Sequence, residues 1–177
     1  MARSTVLFIA ILVAIIHVCS ALVPGYYMIQ FKGDFLTDPK QDGEYVYLSQ
    51  QRSDRSQIWE VSPHQFNEYT ISNSKTDLYL TFGGTPYPEL DLLVSSGRRT
   101  WKLSPASNGG YFIETSDPYM GTSLLAEKSS KFWPPHVALA MPRKDQRQIW
   151  KFIPTRAFDE QPRQHLLPYK KAGLCHS

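Results

Sequence analysis

Between Pro24 and Pro154 apolar and polar residues alternate with a period of two, in short runs broken by Gly, Pro, Asp and Asn. Tyr27, Ile29 and Phe31 form one such run, and Trp59 and Val61 another. In an extended chain that period turns the apolar side chains to one face, which is the mark of a half-buried strand. No stretch in this span carries a helical period. The first part of the span predicts four strands, near Tyr27 to Phe31, Phe35 to Leu36, Tyr45 to Ser49 and Gln57 to Val61.

The pattern then recurs. Tyr27-x-Ile29, Tyr69-x-Ile71 and Tyr111-x-Ile113 share one motif, with tyrosines 42 residues apart both times. Each unit closes on a Trp, an apolar residue and a Pro: Trp59-Val61-Pro63, Trp101-Leu103-Pro105 and Trp150-Phe152-Pro154. The Tyr-to-Trp distances are 32, 32 and 39 residues, so the third unit carries an insertion, which is expected in its Lys128 to His136 loop. The first and third units also share Val46-x-Leu48 with Val137-x-Leu139, and Asp54-x-x-Gln57-Ile58-Trp59 with Asp145-x-x-Gln148-Ile149-Trp150. In the middle unit Arg99 stands where the others have Gln. Three units of four strands give an all-β chain, and their arrangement around a pseudo-threefold axis is a β-trefoil with repeats at about 25–63, 68–105 and 110–154. A three-bladed propeller would fall below the usual four to eight blades and would not close.

Upstream, Val6 to Val18 is apolar except for His17, follows a lone Arg3 and leads into Cys19, Ser20 and Ala21. The run is shorter than the ~20 apolar residues of a membrane-spanning helix, so residues 1–21 are expected to be a signal peptide and the protein to be secreted. What remains is large enough to bury ~68–70% of its unfolded surface without a disulfide or a metal. Cys19 leaves with the leader, and Cys175 then has no intramolecular partner. A net charge of +3, thinly spread, is no footprint for nucleic acid. Residues 155–177 lose the pattern and are expected to be a flexible tail.

At Gln57-Ile58-Trp59 and Gln148-Ile149-Trp150 the chain resembles the ricin B-type β-trefoil, whose repeats end in Gln-x-Trp. The opening Pro24-Gly25-x-Tyr27-x-Ile29 resembles mushroom β-trefoil proteins, among them ricin-B-like lectins and inhibitors of serine or cysteine proteases. The resemblance implies a structural role for Gln57, Trp59, Trp101, Gln148 and Trp150: the indoles fill the core and the Gln side chains pair buried backbone groups. It also implies that a sugar site would need an Asp just after the Leu of the second strand, an aromatic ring, and an Asn or Gln. The matching segments read Phe35-Leu36-Thr37-Asp38, Tyr79-Leu80-Thr81-Phe82 and Ser123-Leu124-Leu125-Ala126. Only the first offers an acid, displaced by one residue, and in a strand that displacement turns the side chain to the other face. A galactose-type site is therefore expected to be lost from the second and third units.

Two functions are compatible with this sequence. One is a carbohydrate-binding module for a glycan or glycoprotein, with Asp38, Tyr79 and Trp133 as candidate contacts. The other is a protease inhibitor acting through a proline-braced loop, with Lys40, Tyr87, Lys131 and Trp133 as candidates, because a stiffened loop loses less entropy on binding. Catalysis has no support: the histidines lack metal-ligand spacing, and no Gly-x-Ser-x-Gly elbow is present. Asp54 and Asp145 are expected to accept backbone N–H bonds in turns. No cofactor or metal is expected.

Overall fold

A computed structural model describes residues 22–65 and 67–156. The expected leader at residues 1–21, the chain beyond residue 156 and Cys175 lie outside the described residues. The first unit contributes β1 (Gly25–Phe31), β2 (Asp34–Thr37), β3 (Tyr47–Ser49), a short 3₁₀ turn (Arg55–Gln57) and β4 (Ile58–Pro63). The second contributes β5 (Glu68–Asn73), β6 (Tyr79–Thr81), β7 (Leu93–Ser95) and β8 (Trp101–Pro105). The third contributes β9 (Tyr111–Thr115), β10 (Leu125–Lys128), β11 (Val137–Ala140) and β12 (Lys151–Pro154).

The outer strands of each unit close a six-stranded antiparallel barrel. β1 pairs with β4, β4 with β5, β5 with β8, and β8 with β9. Reciprocal backbone hydrogen bonds between Tyr111 and Trp150, at 2.8 and 2.9 Å, carry the path toward β12, which returns to β1. Closure leaves the barrel no free edge. The inner strands form three hairpins, β2–β3, β6–β7 and β10–β11. Single bridges join them in a ring, Tyr45 to Leu93, Asp91 to Ala138 and Tyr47 to His136. This triangle of hairpins caps one end of the barrel.

The threefold repeat is physical as well as sequential. Trp59, Trp101 and Trp150 are fully buried, and their indole Nε1 atoms donate to the carbonyls of Leu36, Leu80 and Ala126, each at 3.0 Å. Truncating any of them to Ala would cost ~3–5 kcal/mol. Tyr27, Tyr69 and Tyr111 converge at the axis, where burial, then the neighbouring Tyr111 and Tyr69, pushes the Tyr27 hydroxyl above its ordinary pKa.

The two Gln side chains occupy matching places. Gln57 Oε1 accepts from the Arg52 N–H at 2.8 Å, while its amide donates to Thr37 Oγ1, Ser49 Oγ and the Gln50 carbonyl. Gln148 Oε1 accepts from the Arg143 and Lys144 N–H groups at 2.8 and 2.9 Å. In the middle unit Arg99 reaches outward instead, over the Phe82 ring and onto Asp117 and the Gly84 carbonyl. Its shorter connection leaves no turn for a buried amide to pair.

The insertion lies elsewhere than the Lys128 to His136 loop. From the first Tyr of each unit to the residue that accepts the indole bond, the chain runs from 27 to 36, 69 to 80 and 111 to 126. Relative to the first unit, six of the seven extra residues of the third therefore sit between Tyr111 and Ala126, where Tyr119 and Thr122 form a tight bridged turn. Both loops are rich in turn residues, so composition alone does not tell which of them is longer.

Candidate functional site

The indole bonds fix which residues correspond between units. Trp150 donates to Ala126, not to Leu124, so Ala126 stands where Leu36 and Leu80 stand. Strand register agrees: Leu36 faces Leu48, Leu80 faces Val94, and Ala126 faces Leu139. The residue after each is Thr37, Thr81 and Glu127. The third unit thus keeps an acid at the position expected to have lost one. The first-unit spacing from Val46-x-Leu48, carried back from Val137-x-Leu139, lands within one residue of Glu127, so the sequence locates the acid only to the nearest position.

Glu127 is held in place. Its side chain is only 16% exposed, and Arg143 Nη2 contacts both carboxylate oxygens at 2.5 Å. Gln148 Nε2 donates to its Oε2 at 3.0 Å, so the repeat-closing Gln both pairs a turn and orients the acid. Such charge-assisted contacts are stronger than neutral hydrogen bonds.

Glu127 lines an open cleft of about 340 Å³ between the third unit and the turn at Pro88 and Glu89 of the second. Ala138, Ala140 and Met141 supply an apolar surface, and Lys131 and Glu89 form an ion pair at 2.6 Å. Hydrogen bonding from Lys131 lowers the Glu89 pKa, and the same contact raises that of Lys131. Beside the cleft, Asp91 faces Ala138, which in turn faces Glu127, so the three side chains share one row across neighbouring strands. Acceptors and donors alternate over an apolar floor, an arrangement that suits a ligand whose groups both give and take hydrogen bonds.

The residues singled out from sequence lie in three different units. Asp38 is fully buried, accepting from the Lys40 N–H at 2.7 Å and from Thr76 Oγ1 at 2.6 Å. One face of Tyr79 is covered by the Arg98 guanidinium, which also donates to its hydroxyl at 2.9 Å. Trp133 is 92% exposed. No hydrogen bond or ring contact joins these three among the described residues. Lys40 has a left-handed backbone, φ 79°, and its ammonium is tied to Asp54 at 3.0 Å. Tyr87 is half exposed, and Lys131 belongs to the cleft. Phe132 stacks on His136 at 4.7 Å, with Tyr45 5.5 Å from the same imidazole.

No family model and no curated protein matches the sequence. Solved structures do match. A designed threefold-symmetric protein, ThreeFoil, superposes with a TM-score of 0.66 at 15% identity, covering 74% of this chain and 99% of its own. This chain is a β-trefoil. The trefoil is also similar to the Rhizoctonia solani agglutinin, with a TM-score of 0.66, 17% identity and coverage of 76% of this chain and 97% of that one. A ricin B-like lectin of Macrolepiota procera, solved with lactose, matches the trefoil at a TM-score of 0.64, 17% identity and coverage of 76% and 99%. At such identities the likeness is one of fold.

Proposed function

We propose that this protein is a secreted, non-enzymatic carbohydrate-binding trefoil whose working site is the third-unit cleft around Glu127. The observation that carries the reading is Glu127 itself: an acid directly after the indole-bonded residue, fixed by Arg143 and Gln148 and opening on a cleft. A fixed carboxylate accepts from sugar hydroxyls, while Arg143 and Lys131 donate, and the Ala138 to Met141 strip meets the apolar face of a ring. The lectins among its structural neighbours, one of them solved with lactose, support the same reading. Secretion rests on the apolar run from Val6 to Val18. Among the described residues no helix is long and apolar enough to cross a membrane.

Calorimetric titration of residues 22–177 with the sugars retained on a glycan array tests the site. Glu127→Gln keeps the side-chain volume but removes the charge that orders Arg143, and is expected to weaken binding by at least about tenfold, the equivalent of one lost charge-assisted bond. Unchanged affinity in a folded variant would remove Glu127 from the site. A protease-inhibitor reading keeps one point of support, the exposed Trp133 on its loop. It predicts stoichiometric inhibition lost in Trp133→Ala, with no glycan bound.

A further inference from the structure

The Glu127 cleft does not stand alone. A second cleft of about 280 Å³ shares Glu127, Lys128 and Ser130 with it and continues to Lys32, Asp34 and Arg147. A third, of about 350 Å³, shares Lys32 with the second and ends between Lys151, Gln30, Asn108 and Gln146. Through these shared residues the three clefts adjoin in a row, a groove that starts beside Pro88 and Glu89 of the second unit and follows the third and first.

Charge is distributed unevenly along it. Near Glu127 each cation already has an acid: Arg143 pairs with Glu127, Lys131 with Glu89, Lys128 with Asp34 and Arg147 with Asp145. Their fields largely cancel. At the far end Lys32 and Lys151 form no ion pair among the described residues, and the lining there holds amides and no carboxylate. Gln30 and Lys151 face each other across β1 and β12, which fixes one amide beside one ammonium on a rigid sheet. Two uncompensated ammonium groups in a concave surface focus a positive potential that attracts anions.

Resting on the carbohydrate reading above, we propose that the ligand is an extended acidic oligosaccharide. One sugar unit sits at Glu127, and its carboxylate- or sulfate-bearing units run along the groove to Lys32 and Lys151. A short neutral sugar would fill the first cleft and leave the two lysines unused. Because the charges of the first cleft are already paired, an anionic unit gains no attraction there, which places the uncharged unit at Glu127 and gives the ligand a direction.

The test titrates residues 22–177 with three probes that share the neutral terminal unit bound at Glu127: one extended by neutral units, one by uronic acids and one by sulfated units. The acidic probes are expected to bind at least about tenfold tighter than the neutral one at 50 mM salt, with the gap shrinking at 500 mM as screening sets in. The double variant Lys32→Gln, Lys151→Gln is expected to bring the acidic probes to the neutral one's affinity, while a Lys102→Gln control, on β8 outside the groove, keeps the gap. The uronic and sulfated probes separate carboxylate from sulfate as the favoured anion. Equal affinity for neutral and acidic probes, or a gap that survives the double variant, overturns the inference and leaves the Glu127 site standing. Absence of binding by every probe and every arrayed glycan overturns both.

Discussion

At Asp54 a single carboxylate receives the hydroxyl and the N–H of Ser56 and the ammonium of Lys40. Hydrogen bonding from Ser56, followed by that from Lys40, lowers its pKa to about 2. An unfolded Asp titrates near ~3.9, so between those values the unfolded chain binds the proton that the folded chain refuses. The stabilisation is complete above ~5 and is lost as pH falls through 4 toward 2. Because the side chain is 35% exposed, screening keeps it to no more than about 1 kcal/mol. Urea unfolding of the native protein and of Asp54→Asn should therefore differ at pH 7, by less at about pH 3, and converge only below the folded pKa of about 2; a constant difference would show that the pairing does not set the pKa. The turn role of Asp54 and Asp145 was readable in sequence because an Asx turn needs only its own neighbours, and Asp145 Oδ1 indeed accepts from the Arg147 N–H at 2.8 Å. Glu127 was readable only to within one position, because the exact correspondence depends on which backbone carbonyl Trp150 meets, a long-range contact that local spacing does not encode.

Strands behave as the alternation predicts, with ends shifted by one or two residues. Alternation starts β1 at Tyr27 and β3 at Tyr45, whereas pairing extends β1 back to Gly25 and confines β3 to Tyr47–Ser49. Tyr45 and Val46 instead reach the neighbouring hairpin, with Val46 N–H donating to the Leu92 carbonyl at 3.0 Å. Continuing the β2–β3 register would set Val46 against Asp38 and Tyr45 against Pro39, which has no N–H to pair, so the chain leaves its own hairpin there. At the start of β9 the backbone is packed tightly: a Cβ on Gly110 would lie 2.5 Å from Ile149 Cγ2 and 2.8 Å from the Trp150 carbonyl oxygen. That carbonyl accepts the Tyr111 N–H that closes the barrel. Gly110→Ala should accordingly destabilise by ~1–3 kcal/mol through overpacking, seen as a lower thermal midpoint. Gly83→Ala, which meets nothing within 4 Å, should stay within about 0.5 kcal/mol of the native protein. Equal midpoints for the two variants would mean that the β9–β12 contact yields without cost.

For the whole molecule, closure ties the ends of the described chain together. β1 pairs with β4 of its own unit and with β12 of the third, so no unit can detach without breaking the barrel. Each unit also carries one core indole. Unfolding should be a single transition in which far-ultraviolet circular dichroism and tryptophan fluorescence coincide, with Trp133→Phe used to silence the exposed indole. Two midpoints would show that a unit melts alone. The threefold architecture was legible from sequence because the Tyr and Trp anchors repeat, whereas the groove was not, since it forms from residues of the first and third units that closure alone brings together.

The loop that carries Trp133 is pinned at its base. Ser129 N–H donates to the His136 carbonyl at 2.9 Å, and the Pro135 carbonyl accepts from Leu48 N–H at 2.7 Å. Lys131 adds an ion pair to Glu89 and Phe132 stacks on His136, which leaves Trp133 and Pro134 as the pair the loop displays. A foreign peptide spliced in place of those two residues would be presented by the barrel as a variable loop is by a fixed framework.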